Sequence, residues 1–217
     1  ELRKKTKAAA KFKSPYVKGS FNRGDLSNHT SFWNFEDDFM QSDAFIRIVC
    51  NQKLIESCQE VLGKKAKITW IWLWHTKAHE TPVMNQLWHR DSAEPLNFQR
   101  VFIPLTNIKS NCEGPTQLIP GSEKVNQAFL PRRHEEWYLQ ETGLLEHQIS
   151  LLSNVGDAYI ANTFALHKGL SVTKTGYTRS MLSLLVSPMP SQRTASLPKF
   201  SRSIYSEETQ RLINQNS

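Results

Sequence analysis

Ile68-Thr69-Trp70-Ile71-Trp72-Leu73-Trp74-His75 alternates with a period of two. Ile68, Trp70, Trp72 and Trp74 fall on one side of such a strand, and Thr69, Ile71, Leu73 and His75 on the other. Both sides are largely apolar, which fits a strand covered on both faces. The tryptophan side is expected in the core beneath helices, because indole rings bury large apolar area. A stacking platform for nucleobases is the sharper alternative.

Upstream of this strand the period is 3.6. From Asp38 to Leu62 the apolar residues Phe39, Phe45, Ile48, Val49, Leu54, Ile55, Cys58, Val61 and Leu62 recur at helical spacing. Asn51 divides the stretch into two helices by capping the second, and Gly63 supplies the stop. Downstream, further strands are expected at Val83–His89, Gln99–Leu105, Pro115–Pro120, His147–Leu152, Asp157–Ala161, Ala165–Ser171 and Arg179–Ser187, separated by turn chemistry such as Asn154–Gly156 and Thr173–Gly176. Helices precede the strands rather than alternating with them. The expected fold class is therefore mainly β with flanking helices, built on a double-stranded β-helix (jelly roll, cupin-like) core. The polar segment Leu130–Gly143 interrupts the strands and reads as a surface insertion, with a lid as the alternative.

The 217 residues, 39% hydrophobic and 22% charged, fit one folded domain. No apolar run approaches a membrane span, and nothing near the start resembles a signal peptide. Cys50, Cys58 and Cys112 have neither zinc nor disulfide spacing, so reduced thiols and a cytoplasmic location are expected. Of 27 basic and 20 acidic side chains, eight and one lie in residues 1–23, so the rest balance at nineteen each. The net +7 thus sits in a basic leader, read as a solvated arm, and nucleic acid is not the expected partner. The organisation read from the chain is a basic arm over 1–36, helices plus the β-helix domain over 37–187, and a C-terminal extension over 188–217 with a short helix at Tyr205–Asn214. The sequence leaves oligomeric state open.

Two segments carry chemistry. Leu87-Trp88-His89-Arg90-Asp91 places a histidine and a carboxylate two apart at a strand end, and Ala165-Leu166-His167 supplies a second histidine from a distant strand. Two histidines and one carboxylate with open positions are the usual ligand set of non-haem Fe(II) oxygenases. His167 and Arg179 are centred on the Thr173–Gly176 turn. A hairpin about that turn would set them side by side on one face, with the guanidinium free to hold a carboxylate. A dicarboxylic co-substrate would then chelate the metal at one end and meet Arg179 at the other.

With these residues in place the chain resembles the phytanoyl-CoA dioxygenase family of Fe(II)/2-oxoglutarate oxygenases over roughly residues 50–187. Three pieces carry the resemblance: Trp88-His89-Arg90-Asp91; the run from Asn111-Cys112-Glu113-Gly114-Pro115 to Ile119-Pro120-Gly121-Ser122-Glu123-Lys124; and Gly156-Asp157-Ala158 running on to His167 and Arg179. The resemblance implies that His89, Asp91 and His167 bind Fe(II) and form the catalytic centre, and that Arg179 binds the distal carboxylate of 2-oxoglutarate. It implies O2 as oxidant, ascorbate as an aid in vitro, and succinate and CO2 as co-products. The expected reaction is hydroxylation of an unactivated C–H in a small or medium, possibly acidic, organic substrate. Asp91 itself argues against halogenation, since halogenating relatives carry a small residue there. Desaturation, epoxidation and ring formation stay open. The departures are Arg90 where many relatives have Gln, Glu123 in place of the His of Pro-Gly-Ser-His, and Gly169 where relatives often carry a hydroxyl near 2-oxoglutarate.

Asn85, Trp88, Arg90 and Gln117 are the substrate-pocket candidates, Asn85 because it shares strand parity with His89. Arg90, read also as a brace at the barrel rim, joins Arg100, Arg132 and Arg133 in favouring a substrate with a carboxylate or phosphate. His75 and His79 lack the helix that an i, i+4 metal pair needs. His29, His134 and His147 have no partner at ligand spacing. Asp157 reads as a turn former. Two other readings are a non-catalytic jelly-roll binding protein and an oxygenase that reaches nucleic acid through the basic arm.

Overall fold

The computed structural model describes residues 29–32, 42–91, 97–124 and 133–188. Ser42 caps the first helix, α1 (Asp43–Val49), by accepting from Phe45 N. Asn51 caps α2 (Gln52–Leu62) by accepting from Leu54 N, and the chain leaves α2 at Gly63 with φ 83°. Both caps satisfy amide groups that a helix start otherwise leaves bare.

Eight strands follow among the described residues: β1 (His29–Phe32), β2 (Lys67–Lys77), β3 (Gln99–Pro104), β4 (Thr116–Leu118), β5 (Ile149–Leu151), β6 (Tyr159–Ala161), β7 (His167–Gly169) and β8 (Thr178–Ser187). They form a five-stranded sheet, β1-β2-β8-β3-β6, and a three-stranded sheet, β5-β4-β7, with every pairing antiparallel. Two antiparallel sheets face to face make the jelly roll that the sequence implied. A third helix, α3 (Glu136–Glu141), lies in the stretch read as an insertion. Its Leu139 packs with Trp88, Ile119, Leu145 and Leu166, so the segment seals the outer face of the small sheet.

Three expectations change. The strand expected at Val83–His89 is a 3-10 turn at Met84–Gln86, followed by extended chain that, among the described residues, pairs only at His89. β1 lies inside the stretch read as the basic arm and pairs with β2, so that part belongs to the sheet. The remainder of the arm, the C-terminal helix expected at Tyr205–Asn214, the first residues of the helical run from Asp38, and Arg132 fall outside the described residues.

The third change concerns the tryptophans. The register of β2 against β8 shifts between Ile68 and Trp70, where Thr69 is the extra residue of a bulge. Ile68 is thereby turned away from the tryptophan side. It joins Ile71, Leu73, Leu182, Leu184 and Val186 against Phe45, Ile55 and Leu62 of the helices. Trp70, Trp72 and Trp74 take the opposite, inner face, with Trp72 packed on Phe98 and Leu185. The tryptophan face is therefore not under the helices; it walls the interior between the sheets.

Candidate metal and 2-oxo acid site

His89 and His167 sit directly opposite one another, exchanging backbone bonds of 3.0 and 2.9 Å. That antiparallel pairing brings their ring centroids to 4.2 Å. Each imidazole is oriented by its own chain: His89 Nδ1 lies 2.7 Å from Leu87 O, and His167 Nδ1 lies 2.9 Å from Ala165 O. A carbonyl can only accept, so Nδ1 carries the proton and Nε2 presents its lone pair inward. Asp91, fixed through its amide to Thr163 O at 2.9 Å, completes the group. Its two oxygens lie 4.0 Å from His89 Nε2 and 4.0 Å from His167 Nε2. The ligand atoms of all three residues fall within 4.8 Å of one another, and all three are buried.

The protonation states of His89 and Asp91 suit a divalent cation. Burial first, then the adjacent His167, pushes the His89 imidazole down to about 3. Burial by itself would raise the Asp91 carboxyl, but Arg100, then His167 and His89, with the Thr163 hydroxyl, hold it well below the usual carboxylate range. Neutral imidazole and ionised carboxylate are the forms that bind metal. Two imidazole nitrogens and one carboxylate are a donor set that fits Fe(II).

Arg179, the second residue of β8, lies opposite Thr76 of β2. The hairpin expected between His167 and Arg179 is absent: β7 belongs to the small sheet and β8 to the large one, so the Thr173–Gly176 turn carries a crossover. The guanidinium of Arg179 nevertheless reaches β7, two residues past His167. A Cβ on Gly169 would stand 3.0 Å from Arg179 Nη1. The guanidinium donates to Gly114 O at 2.5 Å and to Thr76 Oγ1 at 3.2 Å, and its Nε has no partner among the described residues. Arg179 is 3% exposed, and no carboxylate pairs with it among the described residues. A buried cation without a counter-ion is costly, and an anionic ligand is the direct remedy.

The substrate-pocket candidates separate differently. Trp88 points away from His89 into the cluster beneath α3, with Lys168 Nζ stacked 4.7 Å from its ring centroid. Arg90 Nη1 donates to Ser122 O and Phe164 O, each at 2.7 Å, which makes it a brace. Gln117 pairs with Lys168 in register and donates to Ser150 Oγ at 3.1 Å, on the face opposite His167. These three line the outer side of the small sheet rather than a pocket. Asn85 loses its parity argument with the strand, but its Oδ1 is buried and unpaired among the described residues.

Arg100 was expected to favour an acidic substrate; instead its Nε and Nη2 donate to Asp91 Oδ2 at 2.9 and 2.7 Å. The signal for it was present: the 100–102–104 parity of β3 faces the apolar interior, where an unpaired charge is not tolerated. Thr76 and Gly114, which hold Arg179, had no such signal.

The fold and this cluster together define a jelly-roll protein with a two-histidine, one-carboxylate group and a buried arginine beside it. Solved structures of similar fold include HygX from Streptomyces hygroscopicus with nickel, 2-oxoglutarate and hygromycin B bound (12% identity, 87% of this chain and 78% of that chain, TM-score 0.57). The epimerase SnoN, in complex with Fe3+, alpha ketoglutarate and nogalamycin RO, matches at 12% identity over 86% of this chain and 72% of its own, with TM-score 0.61. The carbocyclase SnoK from nogalamycin biosynthesis matches at 13% identity over 73% and 62%, with TM-score 0.56. At such identities the likeness is one of fold. No protein-family model matches the chain, and no curated protein does.

Proposed function

We propose that the protein is an Fe(II)- and 2-oxoglutarate-dependent oxygenase of the phytanoyl-CoA dioxygenase-like kind, acting on a small organic molecule. The observation that carries this reading is Arg179, a buried cation with no carboxylate partner among the described residues, set near a His-Asp-His group in which His89 is held neutral and Asp91 ionised. His89, Asp91 and His167 would hold the metal, and Arg179 the far carboxylate of 2-oxoglutarate. When bound, the iron and 2-oxo acid supply the oxidising chemistry; the protein orients them and excludes water. The inner aromatic wall of Trp72, Trp74 and Phe102 supplies the dry surroundings.

Hydroxylation is the assigned outcome, because Asp91 fills the position that halogenation would need open. The similar folds include an epimerase and a carbocyclase, so the product must be identified directly. Among the described residues no helix is long and apolar enough to cross a membrane. The three unbridged cysteines agree with the cytoplasmic placement that we assign.

The test is succinate release from 2-oxoglutarate with Fe(II) and ascorbate across pools of small organic acids and amines. Turnover should require Fe(II), and His89→Ala or Asp91→Ala should abolish iron binding. Arg179→Ala should chiefly raise the 2-oxoglutarate requirement. Intact iron binding with no succinate above background in any pool would leave the non-catalytic binding protein as the better reading.

A further inference from the structure

We infer that Arg100 is a positioning residue that commits one oxygen of Asp91 to the protein and leaves the other, Oδ1, for the metal; the inference rests on the Fe(II)/2-oxoglutarate reading. Both donated bonds from Arg100 end on the same atom, Oδ2, at 2.9 Å from Nε and 2.7 Å from Nη2. Oδ1 lies 4.0 Å from His89 Nε2 and Oδ2 lies 4.0 Å from His167 Nε2, so what separates the two oxygens is the pair of bonds from Arg100, which Oδ1 does not receive. Two donors from one planar group fix direction as well as distance, which a single ammonium cannot do.

The guanidinium is itself fixed. Its Cζ lies 4.2 Å from the centroid of the Trp72 ring, and Nη1 reaches Ser183 Oγ at 3.4 Å. Arg100 is 7% exposed, so neither water nor an incoming anion competes for it easily. Trp72, Arg100 and Ser183 all belong to the inner face of the large sheet, whereas Asp91 lies beyond the Met84–Gln86 turn. The large sheet therefore sets the orientation of a ligand that the small sheet's neighbourhood supplies.

The functional consequence is room. A carboxylate that offers one oxygen occupies one position on a metal, and one that offers two occupies two. Holding Oδ2 back keeps a position available to the 2-oxo acid or to O2. Metal affinity alone does not test this, because removing Arg100 deletes a nearby positive charge, which favours a cation, and also frees the carboxylate, which disfavours a defined site. The two effects oppose each other.

The experiment uses Co(II) in place of iron, with the full chain. The visible ligand-field spectrum is recorded for wild type, Arg100→Met and Arg100→Lys, before and after adding 2-oxoglutarate, together with the 2-oxoglutarate dissociation constant of each Co(II)-loaded protein. Wild type should bind one Co(II) and change its spectrum on adding 2-oxoglutarate. Arg100→Lys keeps the charge but loses the two-point hold. Its metal-only spectrum should shift, and its 2-oxoglutarate dissociation constant should rise, with the about 10- to 100-fold loss of metal affinity or activity on removing a partner to a metal ligand as the upper guide. Arg100→Met should shift the spectrum further.

A Lys variant with wild-type spectra and wild-type 2-oxoglutarate affinity overturns the inference even if the Met variant fails to fold. A purely structural role would lower the thermal midpoint while leaving the spectrum per bound metal unchanged, and that result also overturns it. Failure of wild type to bind Co(II) at all would instead overturn the oxygenase reading beneath it.

Discussion

Gly169→Ala puts a methyl group where Arg179 now sits. The added Cβ would stand 3.0 Å from Nη1, 3.1 Å from Nη2 and 3.5 Å from Cζ of the guanidinium. The first two distances are tighter than ordinary contact, so the guanidinium must retreat by a few tenths of an ångström. It cannot retreat freely: Gly114 O and Thr76 Oγ1 hold it at 2.5 and 3.2 Å, and the residue is 3% exposed. A hydrogen bond to a charged group contributes about 1.5–3 kcal/mol, and stretching one forfeits part of that, on the order of 1 kcal/mol. The 2-oxoglutarate requirement should then rise about fivefold. The assay is 2-oxoglutarate titration of Mn(II)-loaded protein by calorimetry, with Mn(II) binding as the control. Gly169→Ser should recover part of the loss, because its hydroxyl can donate to the bound carboxylate. An unchanged 2-oxoglutarate affinity in the Ala variant, with Mn(II) binding intact, would refute the assignment of Arg179 to that carboxylate.

Gly114→Ala tests the other side of the same cradle. Gly114 has φ 73°, and a Cβ there would meet Leu170 O at 2.7 Å and Val172 Cγ2 at 2.8 Å. The left-handed backbone costs roughly 1–2 kcal/mol and overpacking about 1–3 more. The thermal midpoint should fall by about 5–20 °C for a domain of this size, and a fall under about 2 °C would show that the loop yields instead. In the metal-free protein the folded His89 imidazole titrates at about 3, far below the 6.5 of an unhindered one. As pH drops through 6.5 the unfolded chain gains a proton that the folded one refuses, so stability should decline from there towards pH 3. The decline should not exceed about 1.4 kcal/mol per pH unit from this residue. Urea midpoints at pH 7.5 and 5 would show it, and an identical dependence in His89→Gln would assign it elsewhere. Burial raises the Cys58 thiol to about 11, whereas Cys112 is exposed. Alkylation at pH 8 followed by peptide mapping should modify Cys112 and spare Cys58 until denaturant is added; early labelling of Cys58 would contradict the packing of α2.

The jelly roll and the convergence of His89, Asp91, His167 and Arg179 could be read from the sequence because each depends on local pattern. Alternation reveals strands, and a histidine two residues before a carboxylate recurs on one side of an extended chain. The four residues nonetheless converge by a route that the sequence did not show. The Thr173–Gly176 turn has the same chemistry whether it joins a hairpin or a crossover, and only the pairing of β7 with β4 separates the two. The substrate-pocket candidates show a related limit of local pattern. Period two tells which residues share a face, not which face looks inward, and Trp88, Arg90 and Gln117 sit on the side away from His89 and His167. The single extra residue at Thr69 had the same effect on Ile68. Arg100 was visible as a charge in an apolar strand, but its partner lies nine residues away across the fold.

The charges gathered here impose one more condition on binding. In the form that binds a metal, with each imidazole offering a lone pair, Asp91 and Arg100 cancel, and Arg179 leaves the buried group with one net positive charge. A divalent metal alone would triple that charge in a site closed to water, and a dianionic 2-oxo acid alone would leave Asp91 facing a second carboxylate. The two together add nothing to the net charge. Buried charge is far more costly than paired charge, so each partner should favour the other. Mn(II) should raise 2-oxoglutarate affinity, and 2-oxoglutarate should raise Mn(II) affinity by the same factor, since coupling free energies are reciprocal. A factor of about 5 to 150 is the usual span of such couplings. Four calorimetric titrations, each ligand with and without the other, measure it twice over. Equal 2-oxoglutarate affinity with and without Mn(II) would mean that Arg179 alone holds the ligand. The dicarboxylate would then not span the distance to the His-Asp-His group, and the two halves of the site would have to be assigned separately.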